Sequence, residues 1–95
     1  MTIDQLLQNE INKLYGFENG KKTGKVLIPA FLGDFRKVLE KGSAGEIITE
    51  EYMTEDKRMH LFLKGMRRFG ARGYEFVITS CVCNENELLN TELTL

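Results

Sequence analysis

The most reactive side chains in this sequence are two cysteines and a single histidine. Cys81 and Cys83 lie two residues apart, and His60 is distant from both along the chain. A thiolate beside an imidazole can act as a nucleophile, and the same three groups are ligands that zinc accepts. A structural zinc site needs four ligands, however, and a reactive thiol needs an exposed electropositive setting. We therefore predict no catalysis, no metal and no cofactor, and we interpret both cysteines as free, reduced, structural thiols.

The most uneven feature of the sequence is its charge distribution. The segment from Lys57 to Arg72 holds six basic residues and no acidic one, whereas the rest of the chain holds seven basic and all fourteen acidic residues. If this segment is helical, its outward face carries four cations and one leucine, and an apolar residue among cations is typical of a contact surface. These candidate partner-binding residues are Lys57, Leu61, Lys64, Arg67 and Arg68. The alternative is a solvated helix face.

A second group of cations, Lys21, Lys22 and Lys25, lies in the glycine-rich segment 16–25. The segment does not match the phosphate-binding pattern GxxxxGK followed by Ser or Thr. We predict a turn around Asn19-Gly20, with these three lysines forming a mobile basic loop that contacts an anionic partner.

Seven elements in the order α-β-α-β-α-β-β are predicted to position these residues. Thr2 and Gln5 have capping-box spacing at the start of the first helix, and Gly16 ends it. Thr54 is predicted to cap the third helix, which runs to Phe69 and whose core stripe includes Phe62, Met66 and Phe69. The remaining elements are a strand over 25–28, a second helix from Pro29 to Lys41, and strands over 45–53, 74–83 and 89–95.

Length and composition restrict the class of protein. A chain of 95 residues with 42% hydrophobic and 28% charged residues is expected to form one globular domain spanning 1–95. The net charge of -1 excludes a strongly acidic nucleic-acid mimic and a strongly basic nucleic-acid coat. No segment has the apolar length of a membrane span or the pattern of a signal peptide, so we expect a cytoplasmic protein with no membrane partner. The expected fold is α+β, a small three- or four-stranded sheet with helices packed on it.

Residues 45–95 carry a short motif at the predicted corner between helix and strand. Gly70, Gly73, Tyr74 and Glu75 form GxxGYE, preceded by Phe69. The motif resembles a family of small uncharacterised bacterial β-α-β-β domains, in which a leucine stands at the position of Phe69 and a tryptophan at that of Tyr74. The resemblance implies a β-α-β-β layout for this half of the chain and no particular chemistry.

These observations lead to a non-catalytic binding protein. The first hypothesis is a small regulator or inhibitor, of the accessory type that phages and mobile elements carry, which docks on an anionic site of a larger protein or ribonucleoprotein through the basic third helix. The second is a module that binds nucleic acid or a nucleotide, and a cysteine-dependent enzyme is the remaining alternative. A homo-oligomer is compatible with each of them.

Overall fold

A computed structural model describes all 95 residues, Met1 to Leu95. Two helices are followed by an antiparallel sheet of five strands. The α+β class is confirmed, but the element order and the number of strands differ from the predicted α-β-α-β-α-β-β order and three- or four-stranded sheet. The elements are α1 (Ile3–Tyr15), α2 (Phe17–Lys41), β1 (Ile48–Met53), β2 (His60–Gly70), β3 (Gly73–Cys83), β4 (Asn86–Glu87) and β5 (Leu93–Thr94).

The first helix forms as its sequence predicts. The Thr2 hydroxyl accepts a hydrogen bond from the Gln5 backbone N–H, and the Gln5 side chain accepts one from the Thr2 backbone N–H. This reciprocal capping box satisfies two donors that a helix start otherwise leaves unpaired. Gly16 ends the helix at φ 81°, a conformation that glycine adopts without steric cost, and the chain reverses there into α2.

The second helix corrects two predictions. The predicted loop over 16–24 and the strand over 25–28 are both part of α2, and Pro29 lies inside that helix instead of opening one. Gly20 and Gly24 are buried and face α1. A Cβ at Gly20 would lie 2.7 Å from the Asn12 Cα, and the Gln8 side chain donates a 2.9 Å hydrogen bond to the Gly20 carbonyl. These glycines therefore allow two helix backbones to approach closely, which is a different use of glycine from a turn.

The predicted third helix over 54–69 is wrong. Residues 60–70 form β2, which pairs antiparallel with β1 on one side and β3 on the other. Residues 61 and 63 alternate with 62 and 64 between buried and exposed positions, which is the period of a strand. Thr54 caps the β1–β2 turn instead of a helix, since its hydroxyl accepts a hydrogen bond from the Met59 N–H and donates one to Asp56.

The predicted strand over 74–83 is confirmed as β3, although a β-bulge interrupts the strict alternation of its two faces. Lys64 pairs with Ser80 and Gly65 with Ile78, so Thr79 is an extra residue at a β-bulge. The bulge reverses the alternation, and Ile78 therefore shares a face with Cys81 and Cys83. A turn at Asn84 and Glu85 separates β3 from β4, and the predicted strand over 89–95 is reduced to β5.

The core lies between the helices and one face of the sheet. Leu7 and Ile11 of α1 and Phe35 and Leu39 of α2 are buried against it. The sheet contributes mainly from its two central strands and the C-terminal segment: Met59, Leu61, Leu63, Ile78, Cys81, Cys83 and Leu89. The other face of the sheet has no helix over it, and we call it the open face.

The β2–β3 hairpin extends beyond its neighbours. Pairing with β1 ends at Gly65 and pairing with β5 ends at Val77. Residues 68–75 therefore form an arm with no strand beside it, closed by a turn at Ala71 and Arg72. Gly73 allows this turn because its φ is 115°.

Candidate interaction site on the arm

The structure separates the cations that were predicted to share one helix face. Lys57 lies in the β1–β2 turn at φ 61°, and Lys64 is exposed on the open face. Arg68 is on the same face as Lys64, whereas Arg67 is on the face that the helices cover. The basic segment is therefore spread over a turn and two faces of a sheet, and it forms no continuous basic stripe.

Leu61 corrects the predicted contact surface most directly. It is fully buried in the core opposite Cys83, so it cannot contact a partner. Its neighbour Phe62, assigned by the helical pattern to the core, is 38% exposed on the open face. A change of period from 3.6 to 2 exchanges the two positions.

Lys21, Lys22 and Lys25 are exposed as expected, although they project from α2 and not from a mobile loop. The Lys21 ammonium lies 4.3 Å from the centroid of the Phe17 ring. None of the three forms an ion pair. They remain available to an anionic partner, at the opposite end of α2 from the arm.

The arm carries two exposed aromatic side chains that stack on each other. Phe69 is 71% exposed and Tyr74 is 52% exposed, and they stand opposite each other on β2 and β3. Their rings are stacked, with centroids 4.4 Å apart and planes at 27°. Two large apolar rings held in fixed geometry in water are typical of a binding surface, because exposed apolar area without a partner is unfavourable.

Arg67 fixes this aromatic pair to the body of the domain. Its guanidinium lies 4.4 Å from the Tyr74 ring centroid, and its Nη2 donates a 2.9 Å hydrogen bond to the Gly42 carbonyl at the end of α2. The Arg67 Nε is buried without a hydrogen-bond partner. The next cross-strand position repeats the pattern, since the Arg36 guanidinium of α2 lies 4.7 Å from the Phe76 ring centroid. Arginine and aromatic rings thus alternate from α2 out to the arm.

The opposite face of the arm is held by ion pairs. Arg68 donates to the Glu75 carboxylate at 2.7 Å and to the Glu92 carboxylate at 2.8 Å. These hydrogen bonds raise the pKa of Arg68, with Glu75 as the larger cause. Arg68 therefore has both of its ion-pair partners within the chain, and it links the arm to the C-terminal segment. The cation of the arm that has no ion-pair partner is Arg72, which lies in the β2–β3 turn.

The two cysteines and the histidine lie on different faces of the sheet. Cys81 and Cys83 are both buried free thiols, and burial raises the pKa of Cys81 to about 12. The His60 ring nitrogen Nε2 is hydrogen-bonded to Glu51, and the His60 ring lies 4.6 Å from that of Phe62 on the open face. Both thiols lie on the face that the helices cover, so His60 is not positioned as a base for either of them. No three His, Cys, Asp or Glu side chains converge in a metal-binding arrangement.

Sequence reasoning missed the arm because Phe69 was assigned to the core stripe of a helix. The signal that could have found it is the pair of glycines Gly70 and Gly73, which flank two residues between two strand-like segments. Such spacing indicates a two-residue hairpin as readily as the end of a helix.

Comparison of the sequence with protein-family models, with curated proteins and with solved structures gave no match. The resemblance of residues 45–95 to β-α-β-β domains stays a prediction, and the helix on which it depended is β2. Neither α1 nor α2 combines the length and the apolar character that a membrane-spanning helix requires.

Proposed function

We propose that this protein is a non-catalytic binding protein, a small regulator or inhibitor, that docks on an anionic site of a larger protein through the arm of its β2–β3 hairpin. The observation that carries the proposal is the exposed stacked pair Phe69 and Tyr74, fixed by Arg67 and adjacent to the free cation Arg72. The docking element is therefore a hairpin, in place of the basic helix expected from the sequence.

The composition of the arm supports a protein partner. Tyrosine and arginine are enriched among the residues that contribute most binding energy at protein interfaces, and such residues are most effective when rigid. Arg67 holds Tyr74 by contacts on two sides, to the ring and to the Gly42 carbonyl, so little side-chain entropy remains to be lost on binding. An acidic cleft that accepts two aromatic rings and pairs with Arg72 is the complementary surface.

A single-stranded nucleic acid is the second candidate, and a specific observation favours it. Stacked aromatic rings beside an arginine are the arrangement on which unpaired bases stack. The local charge argues against it, because Arg68 is neutralised by Glu75 and Glu92 and one free cation is too few for a run of phosphates. A protein partner needs only a single acidic contact to Arg72. The protein partner is therefore the better supported of the two.

A capture experiment with an arm variant tests the proposal. The variant Phe69→Ser with Tyr74→Ser removes both rings from the solvent-facing arm, and its thermal unfolding should stay close to that of the wild type. Immobilised wild-type protein should retain a protein from a lysate of the source cells after nuclease treatment, and the amount retained by the arm variant should be lower by at least about tenfold.

Two controls decide between the candidates. Lys13→Ala removes an exposed charge on α1, far along the chain from the arm, and should leave retention unchanged. A fluorescent oligouridine tests nucleic acid directly: tight binding to the wild type, lost in the arm variant and falling steeply with salt, would establish the second candidate instead. Equal retention by the wild type and the arm variant would exclude the arm as the docking site.

A further inference from the structure

The open face of the sheet is only partly polar. Phe62 is 38% exposed and Met53 is 49% exposed, and Val82 lies beside Phe62 on the neighbouring strand. Antiparallel sheets often expose one face to water, but that face then carries polar side chains. Phe62, Val82 and Met53 are thus grouped on an uncovered sheet face, and a group of exposed apolar side chains bordered by charged residues is typical of an association surface.

An acidic and a basic side chain lie next to Phe62 on the open face. Glu51 stands directly opposite Phe62 on β1, and Lys64 stands one position further along the same face of β2. Glu51 and Lys64 are thus diagonal neighbours on the two strands. Lys64 forms no ion pair within the chain, and the Glu51 carboxylate uses one oxygen for His60. The face presents an acidic and a basic group, side by side, next to an apolar centre.

This arrangement is complementary to itself. Two copies can be stacked with their open faces together, related by a two-fold axis that lies between the faces and runs diagonally across the strands. This axis places Glu51 of one copy against Lys64 of the other. It places Phe62 of one copy against Phe62 of the other, near the axis. In a two-fold symmetric interface, if one residue contacts a second residue of the other copy, the second residue of the first copy must contact the first residue of the other. The pair Glu51 and Lys64 meets this requirement.

We propose that two copies of this chain associate through their open faces, with Phe62 and Val82 at the centre and Lys64 of each copy paired with Glu51 of the other. The association buries the exposed ring and gives Lys64 the anionic partner that it lacks in the single chain. It leaves Phe69 and Tyr74 accessible, because they lie on the opposite face of the hairpin. The arm and the open face can therefore be tested separately.

A charge-exchange experiment tests the pairing across the interface. Analytical ultracentrifugation of the wild type should show dimers at tens of micromolar. Lys64→Glu and Glu51→Lys, each alone, create two like-charge contacts per dimer and should weaken association by about a hundredfold, or tenfold per contact. An equimolar mixture of the two variants should form heterodimers, because every glutamate then faces a lysine of the other copy.

The mixture separates an interface from a folding defect. Neither variant can repair the other's fold, so recovery of the dimer mass only on mixing supports the proposed contact. The matched control is Lys41→Glu, at an exposed lysine without an ion pair at the end of α2, which should leave the dimer intact. A monomeric wild type, dimeric single variants, or a mixture that stays monomeric would each overturn the proposal. Phe62→Asp should abolish the dimer with a wild-type circular dichroism spectrum, and a dimeric Phe62→Asp would overturn it as well.

Discussion

Gly65 on β2 lies directly against the ring of Phe35 on α2. A Cβ at Gly65 would be 3.1 Å from Cε2 of that ring and would also meet the Val77 carbonyl oxygen. The Val77 oxygen is a backbone atom of the sheet and cannot move aside. The absence of a side chain at Gly65 also lets Phe35 of α2 pack directly on β2, which sets how closely the helix approaches the sheet. Gly65→Ala should therefore lower the free energy of unfolding by about 1–3 kcal/mol, measured by urea denaturation. An unchanged denaturation midpoint would show that the helix and the sheet are packed less closely.

Leu61 and Phe62 form a matched pair that tests the strand assignment of β2. Leu61→Ala should lower the free energy of unfolding by about 2–5 kcal/mol, because the side chain is fully buried. Phe62→Ala should lower it by about 1 kcal/mol or less in dilute solution, because the ring is on the open face. Guanidinium titrations of both variants give the comparison, and a larger effect at Phe62 would favour the helix that the sequence predicted.

Two glycines of α2 should respond oppositely to the same substitution. Gly33→Ala should stabilise the protein by about 0.5–1 kcal/mol, since nothing lies near the added methyl group and alanine favours a helix. Gly20→Ala should destabilise it by about 1–3 kcal/mol, because the methyl group meets the backbone of Asn12. Thermal unfolding of the two variants measures the difference, and stabilisation by both would mean that α1 and α2 are not closely packed.

The buried thiols should be inert in the folded protein. The pKa of Cys81 is raised to about 12 from an ordinary value of 9.0, and that of Cys83 is also raised, in both cases chiefly by burial. At pH 8 the native Cys81 thiol should therefore react with a disulfide reagent at least about a hundredfold more slowly than in denaturant, because the thiolate is the nucleophile. The Cys83 thiol should be slowed in the same direction. Rapid release of one equivalent from native protein would revive the cysteine-dependent enzyme.

The same thiols give the stability a pH dependence. Their pKa values are higher in the folded chain than in the unfolded chain, so the folded state keeps protons that the unfolded state releases. Stability should be constant below pH 9 from this source and should fall as the pH rises above it. Denaturation of wild type and of Cys81→Ala at pH 7 and pH 10 measures the effect, which should be smaller in the variant.

Asp56 should contribute the opposite pH dependence. Hydrogen bonds from the Thr54 hydroxyl, the Arg58 backbone N–H and the Tyr15 hydroxyl lower its pKa in the folded protein. Stability from Asp56 is therefore present at neutral pH and is lost as the pH falls through its lowered pKa. Asp56→Asn should flatten the acid limb of a pH–stability profile, and an unaltered acid limb would show that these hydrogen bonds do not favour the carboxylate.

The sequence predicted the elements whose local signals agree with their packing. Thr2, Gln5 and Gly16 define α1 by side-chain caps, and β3 has β-branched and aromatic residues on both faces. The failures have two physical causes. Glycines Gly20 and Gly24 break a helix by propensity, yet burial against α1 offsets that cost.

The second cause is an ambiguous period. In residues 59–69 apolar side chains occur at both helical and strand spacing, and β-sheet pairing with β3, which no local pattern reveals, selects the strand. A helix predicted over β2 excludes the arm, because Phe69 and Tyr74 become neighbours only across a hairpin. The three lysines of α2 were predicted as exposed because charge indicates exposure whatever the secondary structure.

The sheet order β1-β2-β3-β4 follows the order of the chain, and α1 packs on the helix that directly follows it. These pairings are between consecutive segments, and only β5 pairs out of order, with β3. The β2–β3 turn closes over Ala71 and Arg72 alone. Short loops lose little entropy on closing, and chains rich in local pairings cross a low kinetic barrier. Refolding from denaturant is expected to be a single exponential on a time scale of about milliseconds, with the β2–β3 hairpin formed early.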